Sequence, residues 1–222
     1  MQTINVLITG ANSGLGFELA KQLAADGHGV LMCCRTLAKS NLAKSQILAA
    51  FPNAQLWACE MDLSSQESIY QCIEQLPVVA DALVCNAAIS YDGFHQYTKE
   101  GIELTFGVNH LGHFLLVKLL TEKFLALKKI LIVASDLHNP EKSKSFFPKP
   151  SIEPIKHLAY PAPLSIESLK SAGALRYVNS KLCNVLFTYE LARRFAQKQR
   201  AGVISAFNPG FMPSTNLSRK CS

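Results

Sequence analysis

The sequence is short of charge: 17% of its 222 residues are Asp, Glu, Lys or Arg, against 49% hydrophobic. That balance excludes a disordered polyelectrolyte and leaves enough apolar material for a sizeable core. No apolar run approaches the roughly 20 residues that span a bilayer, and the opening MQTINVLITG has neither a basic start nor a cleavage site. A membrane span and a secretory leader are therefore not expected. There is no CxxC pair and no zinc spacing. The seven cysteines are odd in number and lie mostly in apolar runs (Cys33, Cys34, Cys59, Cys85), which suits reduced, packed thiols in a cytoplasmic protein. The net charge of +6 comes without a basic pattern to match it. Lys142, Lys144, Lys149 and Lys156 share a proline-rich stretch but no repeat, so nucleic-acid binding is not expected.

What the chain does have is alternation. Short apolar, β-branched-rich runs predict strands over 4–8, 29–34, 54–60, 81–86, 129–134 and 202–207. Helical periodicity falls between them, over 14–26, 37–50, 65–76, 101–126 and 175–199. Strands that are apolar throughout are buried on both faces, as in a parallel sheet covered by helices. Right-handed crossovers then give a doubly wound (Rossmann) α/β fold, with residues 1–222 as a single domain. One connection is unusual. The 41 residues between Ser135 and Tyr177 hold six of the ten prolines, and the loop expected over 136–172 reads as a substrate-facing lid.

The stretch LITGANSGLGFELAKQLA places Gly10, Gly14 and Gly16 between a buried strand and an amphipathic helix. Glycines let a ligand approach the backbone closely, and the helix start offers unpaired N–H groups to phosphate oxygens. The spacing is GxxxGxG rather than GxGxxG, but the mechanics are shared. Gly10, Asn12, Ser13, Gly14, Leu15 and Gly16 form the expected cradle. The end of the second strand bears on which dinucleotide is held, because an acidic residue there suits NAD and an arginine suits a 2′-phosphate. LMCCRTLAKS supplies Arg35, with Lys39 a turn later and no carboxylate, which favours NADP(H). Asp62 follows the third strand beside Leu63 and either bonds the adenine amino group or caps the next helix, a role equally open to Ser64 and Ser65.

In GALRYVNSKLCNVLF, Tyr177 precedes Lys181 by four residues on a helical pattern, so the phenol and the ammonium share one face. A phenol with pKa near 10 is a sluggish base at neutral pH, and a cation beside it favours the phenolate. His110 and His113 lack acidic or cysteine neighbours at ligand spacing and read as packing or capping residues. Cys183 reads as a core thiol. His138 either faces substrate or bonds within its own loop.

With TGANSGLG at 9–16, CNAA at 85–88, Asn109 in GVNHLGHFLL, Ser135 in IVASDLH, YVNSK at 177–181 and NPG at 208–210, the chain resembles the short-chain dehydrogenase/reductase family. The motifs occur in the family's order and cover essentially the whole chain. LVCNAA, NHLGHFLL and SKLCNVLFTYELARR look most like its retinol dehydrogenase and light-dependent protochlorophyllide reductase branch. The resemblance implies an oxidoreductase acting on a small apolar carbonyl or alcohol substrate. In it Tyr177 exchanges the proton, Lys181 bonds the nicotinamide ribose, Ser135 holds the substrate oxygen and Asn109 anchors a water that relays protons to Lys181. It also assigns Asn86, Ala87, Ala88, Pro209 and Gly210 to the cofactor, with Ser214 or Thr215 on the nicotinamide carboxamide. Helices 101–126 and 175–199 are the surfaces through which many relatives pair, so a homodimer is one expectation. The ending NLSRKCS falls where relatives usually continue for tens of residues. It reads as a natural short form, a fragment, or a chain completed by a partner. The competing class is a catalytically weak NADP-binding regulator or scaffold.

Overall fold

All six expected strands form: β1 Asn5–Thr9, β2 Gly29–Cys34, β3 Leu56–Glu60, β4 Ala82–Cys85, β5 Lys129–Val133 and β6 Val203–Phe207. The computed structural model describes residues 2–139, 141, 148–152 and 154–210. Every strand pairing is parallel, in the order β3-β2-β1-β4-β5-β6. The continuous apolar runs explain this arrangement. β2 is buried at all six positions because helices cover both of its faces.

Helices α1 Gly14–Ala25 and α2 Leu37–Ala50 pack one face, where Ala20, Ala24, Ala43 and Ile47 meet Val6, Ile8 and Met32. Helix α3 Gln66–Glu74 and the later helices cover the other, where Leu116, Val117, Leu120, Leu191 and Phe195 meet Leu7, Leu83 and Ile130. The six described cysteines are all buried and unbridged; Cys33, Cys59 and Cys72 pack in that second layer, and Cys59 Sγ lies 3.9 Å from Trp57 O. β6 is the last strand of the sheet among the described residues. It leaves Val203 62% exposed, above a hollow lined by Ala82, Val84, Leu131 and Ser205.

Two expected helices differ. The pattern over 101–126 is not one α-helix: a short α4 Leu104–Phe106 passes through a π turn, Gly107–Leu111, into α5 Gly112–Lys123. Residues 101–103 stay outside because Glu103 caps α4, its carboxylate accepting from the N–H groups of Thr105 and Phe106. The last long helix starts earlier than expected. After α6 Lys156–Ala159, α7 runs Leu169–Gln197, so the final four residues assigned to the 136–172 loop are its first turn. Gly173 allows this close docking, since a Cβ there would sit 2.5 Å from the Tyr91 carbonyl oxygen. The rest of the connection lies partly outside the described residues, and within them two points are tied to the body of the fold. Asn179 accepts from Ser151 N at 2.7 Å, and Glu103 N donates to Ala159 O at 2.8 Å. Phe114 of α5 and Leu186 and Tyr189 of α7 face outward and are exposed. No helix of the described residues is long and apolar enough to cross a membrane.

Candidate active site

Strand order reverses beside β1, whose neighbours are β2 and β4, so a crevice opens at the carboxyl ends of these strands. The glycine loop sits in it. Gly10 adopts φ 66°, a conformation that disfavours any side chain, and its N–H bonds Cys33 O at 2.8 Å. A Cβ on Gly16 would lie 2.5 Å from Asn86 Nδ2 and from Gly10 O, so only glycine fits. Ser13 occupies the cap position of α1 without a side-chain hydrogen bond, and the first turn has no acidic residue. The helix therefore presents unsatisfied N–H groups to the crevice, as an anion requires.

Thr9 ties the second wall to the first. Its hydroxyl oxygen accepts from Asn86 N (2.9 Å) and Ala87 N (3.0 Å), while Asn86 Nδ2 donates to Thr9 O at 2.8 Å. The CNAA segment is thus locked over the glycines. Arg35 follows the last residue of β2 and is exposed. The described residues do contain a carboxylate at that corner: Glu60, paired in register with Cys34, accepts from Leu37 N at 3.0 Å and caps α2. Lys39 N bonds the Thr36 hydroxyl, and its side chain is exposed. Asp62 Oδ1 accepts from Ser64 N and Oγ (2.9 and 2.7 Å), and the cap of α3 is Ser65 rather than Asp62. Asp62 remains half-buried beside Leu63, which is buried.

Lys181 is 2% exposed and donates to Val133 O at 2.9 Å, binding the middle of α7 to the end of β5. Its Nζ lies 5.5 Å from the centroid of the half-buried Tyr177 ring. Ser135, two residues past Val133, caps a 3₁₀ turn over Asp136–His138, with its Oγ accepting from Leu137 N at 3.3 Å. His138 Nδ1 donates to Ser135 O, so the reading in which it bonds within its loop is the one observed. Tyr177, Lys181 and Ser135 thus gather at the C-terminal end of β5, next to the glycine crevice.

Asn109 sits in the π turn, fully buried. Its Oδ1 accepts from Ile89 N at 2.8 Å, and its Nδ2 donates to Ile89 O at 2.9 Å and Ser180 Oγ at 3.1 Å. Three of its four side-chain positions are spent on protein, leaving one lone pair for a water. The backbone carbonyl of Asn109 accepts from Asn184 Nδ2 and His113 Nδ1, both at 3.1 Å. Ser180 in turn donates to Tyr177 O at 2.7 Å. Sequence reading missed Asn179, Ser180 and Asn184, and gave His113 only a packing or capping role. A signal existed for part of the set: Ser180, Asn184 and Thr188 recur at i, i+4 along an otherwise apolar face. Pro209 and Gly210 follow β6, with Gly210 N on Asn208 Oδ1 at 3.1 Å. Ser214 and Thr215 lie outside the described residues.

Burial holds the Lys181 ammonium down to a pKa of about 8, against 10.5 for the free side chain. Between about 8 and 10.5 the unfolded chain keeps the proton and the folded one has lost it, so stability rises with pH across that window. Melts of the ligand-free protein and of Lys181→Met at pH 7 and pH 9.5 should show the variant's advantage shrinking at the higher pH. An advantage that stays constant would mean the ammonium is solvated rather than buried.

Residues 4–138 match the sequence profile of the short chain dehydrogenase family. The chain belongs to the short-chain dehydrogenase/reductase family. This family member is 37% identical over 225 residues to the WW domain-containing oxidoreductase of Homo sapiens, covering 96% of the chain and 50% of that protein. It is 34% identical over 236 residues to protochlorophyllide reductase B, chloroplastic, of Hordeum vulgare, covering 99% and 59%. The chain spans about half the length of the curated relatives it matches. Among solved structures, an uncharacterized protein from Mycobacterium Paratuberculosis superposes with TM-score 0.78 at 32% identity, over 98% of this chain and 72% of that one. The short-chain dehydrogenase from Sphingobium yanoikuyae in complex with NADPH gives TM-score 0.72 at 17% identity, over 98% and 74%, a likeness of fold.

Proposed function

We propose that this short-chain dehydrogenase/reductase transfers a hydride between NADP(H) and a carbonyl or alcohol carbon of an apolar substrate. The observation that carries the reading is Lys181, a buried lysine with no carboxylate paired to it among the described residues. Such a group is costly in a fold and suits a site whose counter-charge arrives with a ligand or a neighbouring phenolate.

The residues fit the cofactor on this chain's own geometry. The uncapped start of α1 and the Gly10–Gly16 surface would take the pyrophosphate, and Asn86–Ala88 would line the opposite wall. Asp62 retains carboxylate capacity for the adenine amino group. The nicotinamide supplies or accepts the hydride. Tyr177 then gives its proton to the developing alkoxide, and Lys181 favours the phenolate left behind through its ammonium charge. Ser135 orients the substrate oxygen. Asn109 holds α7 through Ser180 and keeps one lone pair for a proton-relay water.

Arg35 is the residue we assign to the 2′-phosphate, and Glu60 at the same corner is already engaged by Leu37 N. A charge-assisted bond is worth about 1.5–3 kcal/mol. Arg35→Glu should therefore weaken NADPH binding by about tenfold or more and leave NADH within a few-fold, as read by calorimetric titration. Equal loss for both cofactors would remove Arg35 from the site.

The test of the function itself is a thermal-melt titration, followed by NADPH oxidation with apolar aldehydes and ketones. A ligand at a hundred times its Kd stabilises the folded state by about 2.7 kcal/mol. Stabilisation by NADPH together with carbonyl-dependent oxidation supports an enzyme. Stabilisation without oxidation by any carbonyl supports a binding protein instead, and no stabilisation sinks the cofactor reading.

A further inference from the structure

His113 lies on α5, is 1% exposed, and uses both ring nitrogens to join two parts of the candidate site. Nδ1 is 3.1 Å from Asn109 O and Nε2 is 2.9 Å from Thr9 Oγ1. The directions of these bonds follow from chemistry. A carbonyl only accepts, so Nδ1 carries the hydrogen. Burial lowers the ring's pKa to about 4, so it is neutral and Nε2 is bare. Thr9 Oγ1 already accepts from Asn86 N and Ala87 N, leaving its own hydrogen free to donate. The 2.9 Å path to Nε2 is shorter than its alternative, Val84 O at 3.4 Å.

A continuous chain results: Asn86 and Ala87 on Thr9, Thr9 on His113, His113 on the Asn109 carbonyl, and that carbonyl also on Asn184, three residues past Lys181. Its neighbour His110 joins only at the far end, through Asn184, and touches neither Thr9 nor the Asn109 carbonyl in the bonds described. It stacks on Phe106 at 5.4 Å and bonds Asn184 Oδ1 at 3.0 Å.

We propose that His113 is a positioning residue that holds the phosphate-cradle wall and the Tyr177/Lys181 helix in one fixed register, through Thr9 on one side and the Asn109 carbonyl on the other. The assignment rests on the oxidoreductase reading above. It makes the two ends of the imidazole separable. The amide nitrogen of asparagine falls near the place of Nδ1, and the amide oxygen of glutamine reaches the place of Nε2. His113→Asn keeps the donor to Asn109 and loses Thr9; His113→Gln keeps the acceptor for Thr9 and loses Asn109.

The experiment measures the NADPH Kd by fluorescence titration and kcat for NADPH oxidation with decanal and with phenanthrenequinone. His113→Asn should weaken NADPH binding by about tenfold, with a smaller loss of kcat than of affinity. His113→Gln should hold the Kd within about threefold and lose about tenfold or more in kcat, the size of effect a small misplacement of reacting groups causes. A merely structural histidine predicts another result: both variants melt lower, yet their folded fractions share the wild-type Kd and kcat. That result overturns the assignment. Where neither variant folds, nitrogen-15 spectra of the wild-type ring decide. The assignment requires a protonated Nδ1, a bare hydrogen-bonded Nε2, and a shift in both when NADPH is added. The opposite tautomer or no shift overturns it. Wild-type protein that binds no NADPH, or binds it and reduces neither carbonyl, sinks the oxidoreductase reading, and the His113 assignment falls with it.

Discussion

Tyr177→Phe should lower kcat by about 10²–10⁴ while leaving NADPH affinity within a few-fold. Phenylalanine keeps the ring that lies 5.5 Å from Lys181 Nζ and removes a single oxygen, so the packing of α7 against β5 survives. The loss therefore isolates proton transfer from cofactor binding. Steady-state kinetics beside a calorimetric titration read the two quantities separately. A drop of only a few-fold would mean that another group delivers the proton. A parallel collapse of NADPH affinity would make Tyr177 a binding residue. Lys181→Met is the natural comparison, because its ammonium is assigned to both tasks and its loss should move both constants.

The second large effect lies outside the proton-transfer pair. Glu103→Ala should cost on the order of 3–5 kcal/mol of stability, a large part of a typical domain's total. Glu103 is 1% exposed and serves four groups. Tyr91 Oη donates to its Oε1 at 2.6 Å, Thr105 N and Phe106 N cap onto its carboxylate, and Arg176 Nε stands 3.5 Å away. That last contact is an ion pair rather than a hydrogen bond, since Arg176 Nε has no acceptor. Burial, with the carboxylate as the next cause, pushes the Tyr91 phenol up to about 12. Arg176 also donates to Tyr91 O at 2.9 Å and packs on the Tyr91 ring at 4.4 Å. Removing the carboxylate leaves a buried guanidinium uncompensated beside Tyr177. Urea unfolding of the single variant and of Glu103→Ala/Arg176→Met gives the test. The double variant should recover part of the loss, because deleting both charges is cheaper than stranding one. If the single variant unfolds at the wild-type midpoint, the guanidinium is hydrated and the cluster is peripheral.

The strands were legible because a parallel sheet demands apolar residues on both faces, and β2 is the clearest case. The glycine loop was legible because positive φ and close approach leave few choices of residue. The Tyr177/Lys181 pair was legible because helical geometry fixes what i and i+4 share. What the sequence hid depends on contacts between distant segments. Nothing local marks Glu103 as the point where a helix pattern stops short, and nothing local shows that the following turn is π rather than α. The hydrogen bonds of His113 reach 104 residues back to Thr9 and four residues back to Asn109. Only the first of these fixes its task, and one-dimensional spacing cannot show it. Glu60 was missed for a related reason: it belongs to β3 but works at the corner of β2, through register alone.

The burial of Lys181 has an evolutionary corollary. An ammonium in the interior handicaps the fold, and an apolar side chain of similar length would relieve it. Mutation steadily samples such replacements, and they spread wherever the chemistry has ceased to matter. A duplicated copy of this chain released from catalysis should therefore shed the lysine early, well before its glycines, whose removal the backbone cannot absorb. Under the proposed function, lysine at this position would be a sign of continuing use, and methionine or leucine in a sister sequence the mark of retirement.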